Sequence, residues 1–250
     1  FGTSAWIGGT TNTVFTDPKQ RLFCFSHVIP GKYMPCGTMQ SAGSAYTYIK
    51  DLFYQSESLA AKKEGIDPYD ALSRLITTAP VGSNGLFFLP YLTGERSPHW
   101  NPNASGSFIG MAMHHTKADY LRSVIEGIAY NLRLILNAYQ PALNVDQMIF
   151  TGGGARSESI SQILSDALSL ELVRPLHVEN ATSIAAAILA GVGIGIYDDF
   201  DIIHTFLPLK DRFTPNKVNS MFYNEHLNTF QNIYNALMPI YDQLTPSKSL

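Results

Sequence analysis

Three consecutive glycines at the end of an apolar run constrain this chain more than any other feature. Met148-Ile149-Phe150-Thr151 leads into Gly152-Gly153-Gly154-Ala155-Arg156-Ser157, and a helix-compatible segment from Ser159 to Leu170 follows at once. That order reads as strand, tight turn, helix. Glycine takes positive φ readily and has no Cβ, so the backbone of such a turn can approach a ligand closely. The helix that follows would aim its unpaired N–H groups and the positive end of its dipole at whatever sits in the turn. A nucleotide is the natural occupant. A plain strand-to-helix turn, glycine-rich for geometry alone, is the competing reading.

The bulk properties narrow the partner classes. A chain of 250 residues can bury a substantial core, as one large domain or two small ones. A formal net charge of -3 supplies no basic field, so neither nucleic acid nor an anionic membrane is expected as a partner. No apolar run approaches the ~20 residues of a membrane span. Cys24 and Cys36 are the only cysteines. They are expected as reduced, buried thiols of a cytoplasmic protein. The sequence opens at Phe1, inside what reads as a strand and without an initiator methionine, so a piece of a longer protein cut near a domain boundary is expected.

Residues 1–36 read as a β-meander. Ala5-Trp6-Ile7, Thr13-Val14-Phe15 and Leu22-Phe23-Cys24-Phe25 are β-favouring runs, with Asp17-Pro18-Lys19-Gln20 as a turn between two of them. From Gly43 to about Ala61 the pattern is helical, with Tyr46, Ile49, Phe53 and Leu59 near one face. A short helix begins at Pro68, capped by Asp67. Residues 85–89 form a continuous apolar run of strand length, and a polar loop over 93–103 follows. The best helix comes next, where Leu121, Val124, Ile125, Ile128, Leu132, Ile135 and Leu136 make an unbroken apolar stripe behind a Thr116–Asp119 cap. Strands at 147–151 and 171–174 then alternate with helices at 157–169 and 182–192, and a last helix covers about 217–242. This alternation predicts an α/β domain with a partly parallel sheet.

Several chemical constellations compete for the glycine turn. A dinucleotide fingerprint needs a third glycine where this chain has Ser157, and an acid at the end of the next strand, where Arg174 stands. A phosphate loop with Gly-Lys-Ser/Thr is absent. His114 and His115 are adjacent and lack metal-ligand spacing, so no metal ligand is assigned. No Gly-x-Ser-x-Gly elbow occurs. Glu95 and Arg96 are the acid and base of the polar loop best placed to function, against a simple loop ion pair. Gly2-Thr3-Ser4 and the stretch from Gly37-Thr38 to Gly43-Ser44 put small hydroxyl residues where strands turn, and such sites donate to phosphate oxygens. With the triple glycine they would make three loops converging on one nucleotide.

Together these segments resemble the C-terminal domain of the FGGY carbohydrate kinases, relatives of glycerol kinase within the actin-like, ribonuclease-H-like ATPases. The most specific match is Gly106-Ser107-Phe108-Ile109-Gly110-Met111, seven residues of spacer, then Asp119-Tyr120-Leu121-Arg122-Ser123-Val124-Ile125-Glu126. It fits the family's second signature without a gap. Gly2-Thr3-Ser4 is similar to the family's second phosphate motif, and Gly152 to Ser157 to its adenosine motif. Within the family, His27-Val28-Ile29-Pro30-Gly31-Lys32-Tyr33, Gln40-Ser41-Ala42-Gly43 and the 90–98 segment look most like xylulokinases. Gluconokinases share Asp17-Pro18, Arg21-Leu22-Phe23-Cys24, Gly94-Glu95-Arg96 and Asn101-Pro102-Asn103. One departure is Ile184, where family members usually carry glycine; its bulk would crowd helix packing near the nucleotide.

The resemblance implies a single domain over residues 1–250 with an actin-like α/β fold, a mixed sheet flanked by helices. It implies ATP and Mg²⁺ as cofactors, the metal riding in on the phosphates. Thr3 would contact the terminal phosphates, with Gly2 and Ser4 in the same motif. Gly43 would line the nucleotide site from a helix start, and Gly152, Gly153, Gly154 and Ser157 would flank the adenosine. A side chain at Gly154 is expected to fill space the adenosine needs. Glu126 is expected to be buried and hydrogen-bonded as scaffold rather than base. The sugar would be held mainly by an absent N-terminal domain that also carries the catalytic aspartate, so no catalytic residue is assigned here and residues 1–250 alone are expected to be inactive. Xylulose is the expected substrate, with gluconate or another polyol or ketose as the alternative. A homodimer is compatible with the resemblance, and a non-catalytic actin-like nucleotide sensor is the rival class.

Overall fold

The computed structural model describes residues 1–139, 143 and 145–244. The first sheet is antiparallel and joins β1 (Ala5–Gly8), β2 (Phe23–Ser26) and β3 (Tyr33–Met39), with β3 in the middle. Thr13-Val14-Phe15 is not a strand. Val14 is exposed, and the Phe15 ring stacks on Tyr139 at 6.3 Å, so the segment packs through one side chain rather than a ladder. Asp17 builds the turn that follows. Its carboxylate accepts from the backbone N–H of Lys19 and Arg21 and from the Arg21 guanidinium, which holds its pKa down at about 2. Cys36 is buried, Cys24 is half-buried, and both are free thiols.

Two helices then replace the one expected. α1 (Gly43–Phe53) and α2 (Gln55–Lys63) break at Tyr54, which is buried and donates its hydroxyl to the Lys117 carbonyl at 2.5 Å. Phe53 and Leu59 are exposed as a result; the break turns the chain so that Tyr54, not Phe53, enters the core. α3 (Pro68–Ile76) starts as the sequence indicates, with the Asp67 side chain accepting from Tyr69 N and proline in the first turn. β4 (Phe87–Leu89) pairs antiparallel with β5 (Ser107–Ile109), a short strand the sequence did not announce.

The structural axis is α4 (Lys117–Asn137), buried on nearly all sides. Thr116 and Asp119 close its N-terminus as a capping box. It packs against β4, α1, α3 and the helix that follows the glycine turn. Its most demanding residue is Glu126, 3% exposed. Oε1 accepts from Gly82 N at 2.9 Å, Arg122 Nε at 2.8 Å and the Tyr223 hydroxyl at 2.7 Å, and Oε2 accepts from Ser83 Oγ at 2.7 Å. A buried carboxylate survives only when paired and hydrogen-bonded, and this one ties α4 to the 82–83 loop and to the last helix. It is buried and hydrogen-bonded, as expected.

The C-terminal part carries β6 (Gln147–Ile149), α5 (Glu158–Leu168), β7 (Glu171–Pro175), α6 (Ala181–Gly193), the short α7 (Ile203–Phe206), β8 (Leu209–Phe213) and α8 (Lys217–Tyr241). β6 and β7 pair in parallel through the α5 crossover, and β8 closes the other edge of β7 antiparallel. This is the parallel pair that strand–helix alternation predicts. Among the described residues no helix is long and apolar enough to cross a membrane.

Candidate functional site

Three segments far apart in the chain meet around one cleft of about 670 Å³. The first two are zipped together. Gly43 N donates to the Gly2 carbonyl at 2.9 Å, and Ala42 N, Ser44 N and Ser44 Oγ all donate to the Thr3 carbonyl at 2.9–3.0 Å. The approach is close enough that a Cβ on Gly43 would lie 2.3 Å from the Gly2 oxygen. Glycine is required there by backbone contact, and the contact fixes where α1 begins.

The third segment is the glycine turn. Gly152 adopts φ +89° and donates to the Val178 carbonyl, while Gly154 N donates to the Phe1 carbonyl at 3.2 Å. One 3-10 turn over Gly153–Arg156 then precedes α5. Ser157 caps that helix, its Oγ accepting from Ile160 N at 3.2 Å. Arg174, at the end of β7, braces the turn from behind. Its Nη1 donates to the Ala155 carbonyl at 2.9 Å, and its Nε and Nη2 are held by Asp211 on β8 at 2.8 and 2.5 Å.

Opposite the glycines the cleft is aromatic and hydroxylic. Tyr69 of α3 and Thr47 of α1 share a hydroxyl hydrogen bond of 3.0 Å. Ser73 of α3 donates to Ser157 Oγ at 2.9 Å and accepts at its carbonyl from Ser159 Oγ at 3.1 Å, joining α3 to α5. Tyr48 and Tyr69 face the cleft while remaining 53% and 42% exposed. Asp51, Asp70 and an exposed Arg156–Glu179 ion pair complete the rim. The size suits a drug- to nucleotide-sized ligand, and the wall pairs flat aromatic faces with a strip of glycine.

The sequence profile of the FGGY family of carbohydrate kinases, C-terminal domain, matches residues 1–194. The chain belongs to that family. It is 34% identical over 245 residues to a gluconokinase of Bacillus licheniformis, covering 97% of this chain and 47% of the relative. It is 32% identical over 235 residues to a xylulose kinase of Staphylococcus epidermidis, covering 93% and 45%. The ligand-bound xylulose kinase from Lactobacillus acidophilus superimposes with a TM-score of 0.83 at 27% identity, covering 98% of this chain and 48% of that one. The chain therefore spans about half the length of the curated relatives it matches, and its fold is the actin-like α/β fold of these kinases.

Within this FGGY domain the structure brings Gly2, Thr3, Gly43, Gly153, Gly154 and Ser157 to the same cleft. Ser4 and Gly152 stand outside its lining. The Ser4 carbonyl accepts from Gly2 N, and Gly152 is pressed against Phe1, whose carbonyl oxygen lies 2.6 Å from where its Cβ would be. One physical expectation changes. The first amides of α1 are taken by the Gly2 and Thr3 carbonyls, and α5 is set back by the 3-10 turn and capped by Ser157, so neither helix simply aims unpaired N–H groups at the cleft. What the glycines supply is volume. A Cβ on Gly2 or Gly153 would meet nothing within 4 Å.

The remaining candidates sort themselves by position. Glu95 is buried below the 93–103 loop and accepts from Gln40 N, Arg96 N and Asn131 Nδ2 at 2.7, 2.8 and 3.1 Å. Burial raises its carboxyl to about 8 against these donors. It organises the loop and does not line the cleft, nor does Arg96. The His114 and His115 rings lie tilted against one another at 4.3 Å, and His115 Nδ1 accepts from Ala112 N. Among the described residues no cluster of His, Cys, Asp and Glu could hold a metal ion. Ile184 sits half-buried in the first turn of α6 and takes no volume from the cleft. Tyr48, Tyr69 and Ser73 are not singled out by the sequence, and Arg174 enters there only as the residue that stands where a dinucleotide fold needs an acid. The usable signal was the large aromatic at 48 on the outer face of α1, where a merely soluble helix would carry a polar side chain.

Proposed function

We propose that this chain is the C-terminal, nucleotide-binding half of an ATP-dependent sugar kinase, a single domain whose cleft holds ATP with Mg²⁺ carried on the phosphates. The reading rests above all on Gly153. Three family motifs converge on one cleft, and at its glycine wall a side chain would project into open space. Thr3, at the zipped end beside α1, would contact the terminal phosphates. Gly153, Gly154 and Ser157 flank the nucleoside, with Gly2 and Gly43 closing the floor between. Bound there, ATP with its metal supplies the γ-phosphoryl group; the chain positions it. Phosphoryl transfer depends on positioning and charge stabilisation more than on covalent chemistry.

The proposed acceptor is a ketopentose such as xylulose. Gluconate is the second reading, favoured by the slightly higher identity to the gluconokinase. Exposed apolar residues, among them Trp6 on β1, Ile149 on β6 and Ile194 just past α6, support a covering partner half. A coupled phosphorylation assay of the full-length polypeptide against xylulose, gluconate, ribulose and glycerol tests the reading. One of the first two should be turned over well above the rest. Residues 1–250 alone should show no turnover, because general-base help worth ~10²–10⁴ in rate is missing and the sugar is not held in line. Robust turnover by this half alone would overturn the proposed division of labour.

A further inference from the structure

The floor of the cleft carries an anomaly. Tyr46 lies one turn beyond Gly43 on α1, on the same helix face, and is 4% exposed. Its hydroxyl is buried and has no hydrogen-bond partner, which few side-chain atoms among the described residues share. Folded proteins satisfy nearly all such groups, and each exception calls for an explanation. The neighbouring polar groups offer none, because they are committed to one another. The Tyr69 hydroxyl is engaged with Thr47, and Ser73 with Ser157. The Tyr46 ring leans on the Tyr69 ring at 5.9 Å and 40°, so the phenol is held in place by packing alone.

The surroundings indicate what the hydroxyl waits for. The charged groups of the cleft, Asp51, Asp70 and the Arg156–Glu179 pair, lie on helices and loops at the rim. The floor around Tyr46, with Tyr69 and Ile160, is aromatic and aliphatic. Of the parts of a nucleoside triphosphate, only the base is flat, uncharged and edged with hydrogen-bonding groups. A phenol can donate to a ring nitrogen or accept from an exocyclic amine.

We propose that Tyr46 is a nucleotide-specificity residue whose hydroxyl hydrogen-bonds the edge of the purine base. The inference rests on the nucleotide reading of the cleft and adds a contact that none of the glycine motifs provides. It also explains an arrangement that is unfavourable in the empty domain: the unpaired hydroxyl acquires its partner only with the ligand in place.

Tyr46→Phe removes one oxygen and keeps the ring. In the full-length polypeptide it should weaken ATP binding about 5- to 10-fold, the size of one well-made hydrogen bond. Binding of inorganic tripolyphosphate, which has no base, should not change. Without nucleotide the variant should melt no lower than its parent, because it loses a buried group that had no partner. Equal ATP affinity in parent and variant would overturn the inference while leaving the nucleotide reading intact. So would a markedly lower melting temperature, which would reveal a protein partner for the hydroxyl. Absence of ATP binding by the parent would overturn both.

Discussion

Gly153→Val should fold and melt like the parent and bind ATP roughly tenfold more weakly or worse, a difference of about 1.4 kcal/mol. The position is unusual among the three glycines. Gly152 needs φ +89°, so any side chain there is strained, and its Cβ would meet the Phe1 carbonyl. At Gly154 a Cβ would lie 2.3 Å from the Phe1 ring, so the first cost of Gly154→Val is a displaced ring rather than lost nucleotide space. Gly153 has no such conflict. Its side chain would meet open space at the cleft wall, where the nucleoside is proposed to lie. Titration with a fluorescent ATP analogue, alongside thermal melting, separates the two effects. Unchanged affinity in a folded Gly153→Val protein would make the turn structural only.

Glu126→Ala should destabilise the domain by about 3–5 kcal/mol, the range for removing one partner of a buried ion pair. The deletion leaves the Arg122 guanidinium buried with only the Ala79 carbonyl and the Tyr223 hydroxyl, and strands Gly82 N and Ser83 Oγ without their acceptor. Glu126→Gln keeps the shape but loses the charge, and should fall between the two. Urea unfolding of the three proteins measures the series. A Glu126→Ala protein with parental stability and no phosphorylation would move this residue from scaffold to chemistry.

The parts of this fold that depend on local chemistry were legible from the chain. Thr116 and Asp119 announced α4, Asp67-Pro68 announced α3, and the triple glycine marked the strand-to-helix turn. The failures have identifiable causes. β3 was hidden by Pro35, which ordinarily argues against a central strand. Here β1 pairs with residues 36–39 and β2 with residues 33–36, so at Pro35 the missing N–H faces past the end of β1, on the side where its carbonyl meets Gly9 N. β8 reads Leu-Lys-Asp-Arg-Phe, too charged to suggest a strand, yet it pairs along β7 with Arg174 and Asp211 opposite one another as an ion pair. The site divides in the same way. Its glycine wall could be read from motif spacing. Its aromatic wall depends on how α3 packs against α1, and the unpaired Tyr46 hydroxyl is a property of packing alone.

ATP is proposed to occupy the cleft bounded by the Gly2–Thr3 segment, α1 and the glycine turn. Hydrogen–deuterium exchange of the full-length polypeptide, with and without saturating ATP, reads the occupied surface. Exchange should slow in peptides covering residues 1–4, 43–48, 69–73 and 152–160, with the outer face of α6 unaffected. Protection confined to other segments, such as the separate groove lined by Ala5–Gly8 of β1 and Gln147–Ile149 of β6, would rule that site out.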